Sequence, residues 1–207
     1  MTAEPIGAGL RLIKRSVGPM DNNAYLLIHG TDALLIDAAN DAGVLLDELA
    51  GLHLTGVVTT HRHADHLQAL AAVVAATGAP VYAGTPDAAA ITEATGVACR
   101  EVWDGDTVTV GGVPLAVIGL VGHTPGSITL AHTPPDAPDR LFTGDSLFPG
   151  GVGKTRGGAD FDSLLRDVTT KLFDRFADDT VVHPGHGADT TLGAERPQLG
   201  EWRARRW

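Results

Sequence analysis

The sequence is poor in several things whose absence narrows what it can be. It has one cysteine, Cys99, so no disulfide can close within the chain, which suits a reducing cytoplasm. The same scarcity excludes a thiolate-rich structural zinc site. Cys99 follows Gly96-Val97-Ala98, far from every histidine cluster and from any group that would lower its pKa, and reads as an inert thiol. Cations are outnumbered, 15 Lys and Arg against 25 Asp and Glu, and the net charge of −10 excludes nucleic acid and polybasic membrane contact as partners. No apolar run approaches the roughly 20 residues that span a bilayer. The start, Met1-Thr2-Ala3-Glu4-Pro5-Ile6, lacks the basic-then-apolar pattern of a signal peptide. What remains, 43% hydrophobic and 19% charged over 207 residues, is an ordinary globular composition for one domain or two fused halves.

What is present in excess is histidine beside aspartate. Thr59-Thr60-His61-Arg62-His63-Ala64-Asp65-His66 crowds three histidines and an aspartate into six positions after the apolar run Gly56-Val57-Val58. With this composition an accidental H-x-H-x-D-H is a roughly one-in-a-thousand event. A single such histidine would be read as a surface or capping residue. The four together read as a metal site, because neutral imidazole and carboxylate are ligands of divalent zinc and iron, and a short loop arranges them in advance.

Hydrophobic periodicity organises the rest. Residues 10–17, 24–28 and 33–37 read as strands, the last two joined as a hairpin through 29–32, and their unbroken apolar character is that of inner strands covered on both faces. Asp41 is expected to open a helix closing near Gly51, followed by a strand over 56–60, a helix over 67–76, a strand over 81–83 and a helix over 86–94. A second hairpin, 108–110 and 113–120, turns at Gly111-Gly112. Strands follow at 128–131 and 141–143, an irregular glycine-rich loop at 150–158, a helix capped by Asp160 or Asp162, and a last strand at 181–183 before a short Arg-rich tail from Gly200 to Trp207. This order predicts one domain, 1–207, in four layers, with helices outside two facing sheets. The polar clusters His61/His63/Asp65/His66, His123, Asp145 and His186 each fall at a strand exit, where separate elements can bring ligands together. His29 and His53 read as surface residues, and His183, inside the last strand, as structural.

The words T-H-x-H-x-D-H, G-H-T-P-G-S (122–127), F-T-G-D-S-L-F (142–148) and P-G-H-G (184–187) resemble, in that order, the metallo-β-lactamase superfamily of metallohydrolases. The resemblance implies an α/β fold, the four-layer αββα sandwich, and two divalent metal ions, zinc first with iron or manganese as alternatives. It implies that His61, His63 and His123 hold one ion, that Asp65, His66 and His186 hold the other, and that Asp145 bridges them. Asp65 is also the candidate catalytic carboxylate. The implied chemistry is hydrolysis by a metal-bridging water that has lost its proton.

Two further words resemble the hydroxyacylglutathione hydrolases (glyoxalase II) within that superfamily. They are Asp21-Asn22-Asn23-Ala24-Tyr25 and Gly144-Asp145-Ser146-Leu147-Phe148-Pro149-Gly150-Gly151-Val152-Gly153-Lys154. The resemblance implies a small-molecule thioester substrate, with Lys154, Tyr25 and Asn23 as substrate contacts. Full-length glyoxalase II carries a C-terminal helical extension, and the sequence continues for only about twenty residues after His186, as in short single-domain relatives. A mononuclear iron persulfide dioxygenase, a lactonase and a non-catalytic metal-binding protein are the alternative readings. The run Gly150–Thr155 is no phosphate-binding P-loop, since Phe148 stands where its first glycine would be.

Overall fold

Leucines at 26, 27, 34 and 35 show why the first hairpin forms. In the computed structural model, which describes residues 3–206, strands Asn22–His29 and Asp32–Ile36 pair antiparallel with Leu26 opposite Leu35 and Leu27 opposite Leu34. Alternate residues face opposite sides of a sheet, so one leucine pair faces outward to helices and the other inward to a second sheet. Both faces are dry, which explains the unbroken apolar run. Met1, Thr2 and Trp207 lie outside the described residues, as does that part of the expectations for the N-terminus and the tail.

Parallel strands His53–Thr59, Val81–Gly84 and Cys99–Val102 extend this sheet, connected by helices Ala42–Glu48, Leu70–Thr77 and Thr85–Thr95. Strands Arg11–Val17 and Glu4–Pro5 complete its other side. The second sheet runs in the order Thr190–Thr191, Val181–Pro184, Arg140–Gly144, Ile128–His132, Val113–Gly119, Thr107–Val110. Leu27, Leu34, Ile36 and Val58 of the first sheet share one buried core with Val117, Leu130 and Phe142 of the second. Helices cover both outer faces: Leu45, Leu70, Val73 and Ile91 pack outside the first sheet, and Leu164, Leu165, Val168 and Trp202 outside the second. The fold is the αββα sandwich.

Several local expectations are corrected. The stretch 150–158 is not wholly irregular: Gly151–Val152 pairs antiparallel with Leu147–Phe148. Neither Asp160 nor Asp162 caps the following helix, Gly158–Asp167; its cap is Gly157, without a side-chain bond, and a π-helical segment Val168–Phe173 prolongs it. Asp41 flanks its helix at φ 49° and makes no capping bond; its carboxylate accepts from the Gly18 N–H instead. Val181–Pro184 is followed by a further edge strand, and the tail forms helix Leu199–Arg205, whose Trp202 is fully buried. Strand Cys99–Val102, with Cys99 packed beside the first outer core, had no apolar alternation to reveal it.

Candidate metal centre

Strand exits from both sheets meet at one edge. His61 and His63 follow strand His53–Thr59, and Asp65 and His66 sit in the 3₁₀ turn Ala64–His66. His123 follows Val113–Gly119, Asp145 follows Arg140–Gly144, and His186 follows Val181–Pro184. All seven residues anticipated as ligands converge, in two clusters. His61 Nε2 lies 3.1 Å from His63 Nδ1 and 3.3 Å from His123 Nε2. His186 Nε2 lies 3.2 Å from His66 Nε2 and 3.2 Å from Asp65 Oδ2. Asp145 stands between them, with Oδ1 3.3 Å from His66 Nε2 and Oδ2 3.6 Å from His123 Nε2 and 3.5 Å from His186 Nε2. Within each trio His61/His63/His123, His61/His66/Asp145 and Asp65/His66/His186, the candidate ligand atoms lie within 4.8 Å of one another.

The hydrogen bonds behind the rings decide which nitrogens are bare. A carbonyl only accepts, so His123 carries its proton on Nδ1 towards Lys154 O at 2.7 Å, and His186 on Nδ1 towards Met20 O at 2.9 Å. His66 donates from Nδ1 to Asp37 Oδ2 at 2.8 Å. The Thr60 hydroxyl donates to the same oxygen at 2.8 Å, which leaves Thr60 Oγ1 as acceptor for His61 Nδ1 at 3.0 Å. Four Nε2 atoms therefore point into one space with little room between them, with Nδ1 turned to the supporting groups. Asp145 Oδ1 is buried there without a well-formed hydrogen bond. Imidazole nitrogens crowded around a buried carboxylate must be held together by protons or by a cation, and all of these groups are ordinary ligands of a divalent ion, so the donor set fits divalent metal.

The electrostatics divide the same way. Burial, with the neighbouring His66 second, pushes His61 well down, and burial likewise lowers His63 and His123, so these three are neutral. Burial also opposes charge on His66, but the Asp37 carboxylate and the bond to Asp145 outweigh it and push His66 up to about 10. The hydrogen bond to Asp145 likewise raises His186. Burial of Asp145 is outweighed by its bonds to His186 and His66, which hold it well below the ordinary carboxylate range. Without a cation this half of the centre retains protons that a divalent ion must displace.

Three residues that support the candidate ligands were not among the expected site residues, although Asn22 lies within the word Asp21–Tyr25. Asp37, 1% exposed at φ 57°, closes the apolar run 33–37 and anchors one ring from each cluster, His66 directly and His61 through Thr60. A carboxylate ending an apolar strand was the one available signal. Asn22 donates to Asp65 Oδ2 at 2.9 Å. Asp87, fully buried, accepts from Thr124 Oγ1 at 2.6 Å, Gly126 N at 3.0 Å and Arg62 N at 3.1 Å. It thus ties the His61–His66 loop to the loop that carries His123.

Two expected substrate contacts have a different place. The Tyr25 hydroxyl donates to Pro184 O at 2.6 Å, and its ring packs edge-on against Phe142 at 5.3 Å. Asn23 Nδ2 donates to Pro184 O at 2.9 Å and Gly187 O at 3.0 Å. Both side chains are buried. They brace the turn that presents His186 and do not line the cleft, a correction that follows from the pleat: residues 23 and 25 share a face of their strand, and that face meets the second sheet. Lys154 is exposed on the wall of an open cleft of about 390 Å³ with Thr155, Arg156, His63 and His123. His183 is structural, held between Arg140 at 3.2 Å and Asp189 at 3.0 Å and stacked on Phe142.

Residues 17–189 match the model of the metallo-beta-lactamase superfamily. An uncharacterized protein of Mycobacterium tuberculosis is 36% identical over 84% of this chain and 89% of its own length. A hydroxyacylglutathione hydrolase of Anaeromyxobacter dehalogenans is 37% identical over 80% of this chain, which spans 61% of that enzyme. Among solved structures, the BLEG-1 B3 metallo-beta-lactamase is 30% identical with a TM-score of 0.76, covering 90% of this chain and 96% of that one. TTHA1623 in a di-iron-bound form is 32% identical with a TM-score of 0.70, covering 89% and 96%. ETHE1 from Myxococcus xanthus is 29% identical with a TM-score of 0.76, covering 92% and 84%. Family match, fold and ligand geometry agree: the chain belongs to the metallo-β-lactamase superfamily, whose members are metal-dependent hydrolases.

Proposed function

We propose that the protein hydrolyses a small hydroxyacyl thioester, as glyoxalase II does, at a centre of two divalent ions. The observation that carries this reading is Asp145 set between two complete ligand trios. His61, His63 and His123 would hold the first ion, Asp65, His66 and His186 the second, with zinc first and iron or manganese as alternatives. Such ions, when bound, supply Lewis acidity that lowers the pKa of water and polarises a carbonyl oxygen. Asp65, steadied by Asn22, is the carboxylate assigned to proton handling at the second ion. Asp37 keeps the rings of His61 and His66 in the tautomer that bares Nε2. Lys154, with no polar partner for its ammonium among the described residues, is placed to meet an anionic group on the thiol carrier.

The likeness to a hydroxyacylglutathione hydrolase at 37% identity, over 80% of this chain and 61% of that enzyme, supports the substrate class. No helix among the described residues is long and apolar enough to cross a membrane, and with the single cysteine this supports work in the cytoplasm. A mononuclear iron persulfide dioxygenase is the second reading, favoured by the likeness to ETHE1 from Myxococcus xanthus. Metal analysis followed by parallel assays on an S-lactoyl thiol, a lactone and a thiol persulfide tests the choice. Two ions per chain with thioester turnover is expected. One iron per chain with oxygen consumed in the presence of the persulfide would replace the first reading by the second.

A further inference from the structure

The mouth of the metal cleft gathers Lys154, Arg156 and Arg62 on a protein of net charge −10. Of the three lysines, Lys14 pairs with Asp189 and Lys171 with Asp104 and Asp167, whereas Lys154 has no acidic partner among the described residues. Arg156, two residues on, is exposed and also lacks one. His123 and Arg156 also line a neighbouring groove of about 150 Å³ whose walls include Pro125, Arg62 and Asp160. Arg62 reaches Asp87 only through Nε at 3.6 Å, and Asp87 is already occupied by three shorter hydrogen bonds, so the terminal guanidinium nitrogens have no partner among the described residues. Asp160 is the one acidic residue on the groove wall against its two arginines, and Asp87 lies buried behind Arg62.

The geometry points to a second subsite: the Arg62–Arg156 groove binds a carboxylate of the substrate, so that the preferred thioester carries an anionic group besides whatever Lys154 meets. This rests on the thioester reading given above. The volume admits a carboxylate and its methylene stem but no large group. Two arginines lining one groove suit a planar carboxylate, which a guanidinium binds through paired N–H donors. Arg62 stands between the ligands His61 and His63, so the subsite opens beside the reacting centre and acts on the acyl or the thiol half of the substrate.

Three thioesters decide the matter in the metal-loaded protein: S-lactoyl-N-acetylcysteamine, which is neutral; S-succinyl-N-acetylcysteamine, with its carboxylate on the acyl side; and S-lactoyl-3-mercaptopropionate, with its carboxylate on the thiol side. One of the two anionic substrates is expected to be preferred over the neutral one, which identifies the half that enters the groove. Arg156→Gln is expected to shrink that preference in kcat/KM about tenfold, 1.4 kcal/mol, through KM. An unchanged preference in Arg156→Gln overturns the subsite. Should no thioester be turned over, calorimetry with S-carboxymethyl-N-acetylcysteamine against its neutral S-ethyl analogue separates the two ideas. Affinity for the carboxymethyl probe that falls about tenfold in Arg156→Gln sustains the subsite without the hydrolase. Absence of binding, or equal binding by the variant, removes it. Arg62→Gln is the second variant, and Arg156→Gln alone suffices if substitution beside the ligands costs metal.

Discussion

Replacing Asp37 by asparagine is expected to strip the second ion from the centre while leaving the fold in place. Asp37 accepts three hydrogen bonds, Thr60 N at 2.7 Å on Oδ1 and Thr60 Oγ1 and His66 Nδ1, both at 2.8 Å, on Oδ2. Asparagine keeps the shape and tolerates φ 57°, so backbone strain is not introduced. It cannot keep all three bonds. With its oxygen towards Thr60 N, its NH₂ meets His66 Nδ1–H donor to donor; with the amide flipped, it meets the Thr60 N–H in the same way. A buried donor left unpaired costs about 1–3 kcal/mol. His66 can relieve the first conflict only by moving its proton to Nε2, the metal-facing atom. Loss of such an outer partner lowers metal affinity about 10- to 100-fold, or about 1.4–2.7 kcal/mol. The effect falls mainly on the trio Asp65/His66/His186, because His61 feels Asp37 only through Thr60. Competition with a chromophoric chelator, read as two successive dissociation constants, measures it. Two ions held as tightly as in the parent protein would refute the assignment of Asp37 as the residue that sets the ligand tautomer.

Other perturbations test neighbouring links. Gly185→Ala would drive a Cβ into Asp145 Oδ1 and within 2.7 Å of His66 Cε1, so metal content is expected to fall sharply by elemental analysis; a fully loaded variant would contradict the packing. Tyr25→Phe removes the bond to Pro184 O and is expected to cost about 1 kcal/mol in denaturant unfolding, with KM unmoved; a large rise in KM without loss of stability would return Tyr25 to the substrate. Adding zinc to metal-free protein at pH 7 is expected to release at least one proton per chain into a weak buffer, since His66 is held protonated to about pH 10. For the metal-free protein the sign is fixed: stability from the raised His66 is complete below its unfolded pKa near 6.5 and is lost as pH rises through about 10. Calorimetric melting across that range checks it, and a melting temperature that climbs between pH 7 and 10 would be the wrong sign.

The sequence by itself determined the candidate ligands, because their spacing is local: H-x-H-x-D-H needs only a short turn after a strand, and each other candidate sits beside glycine at a strand exit. It determined the layers too, since strands dry on both faces show as unbroken apolar runs such as 24–28 and 33–37. Tertiary structure decided what those ligands lean on. Asp37 reaches His66 across 29 residues, Asn22 reaches Asp65 across 43, and Tyr25 reaches Pro184 across 159, distances over which residue spacing carries no periodic signal. It also decided which residues of a motif face the cleft. Asn22 supports the centre and Lys154 opens onto it, whereas Asn23 and Tyr25, in the same word as Asn22, turn into the interface between the sheets. The physical reason is the pleat: identity is written in the chain, but the face a strand residue presents is set only when its neighbours cover one side and leave the other open.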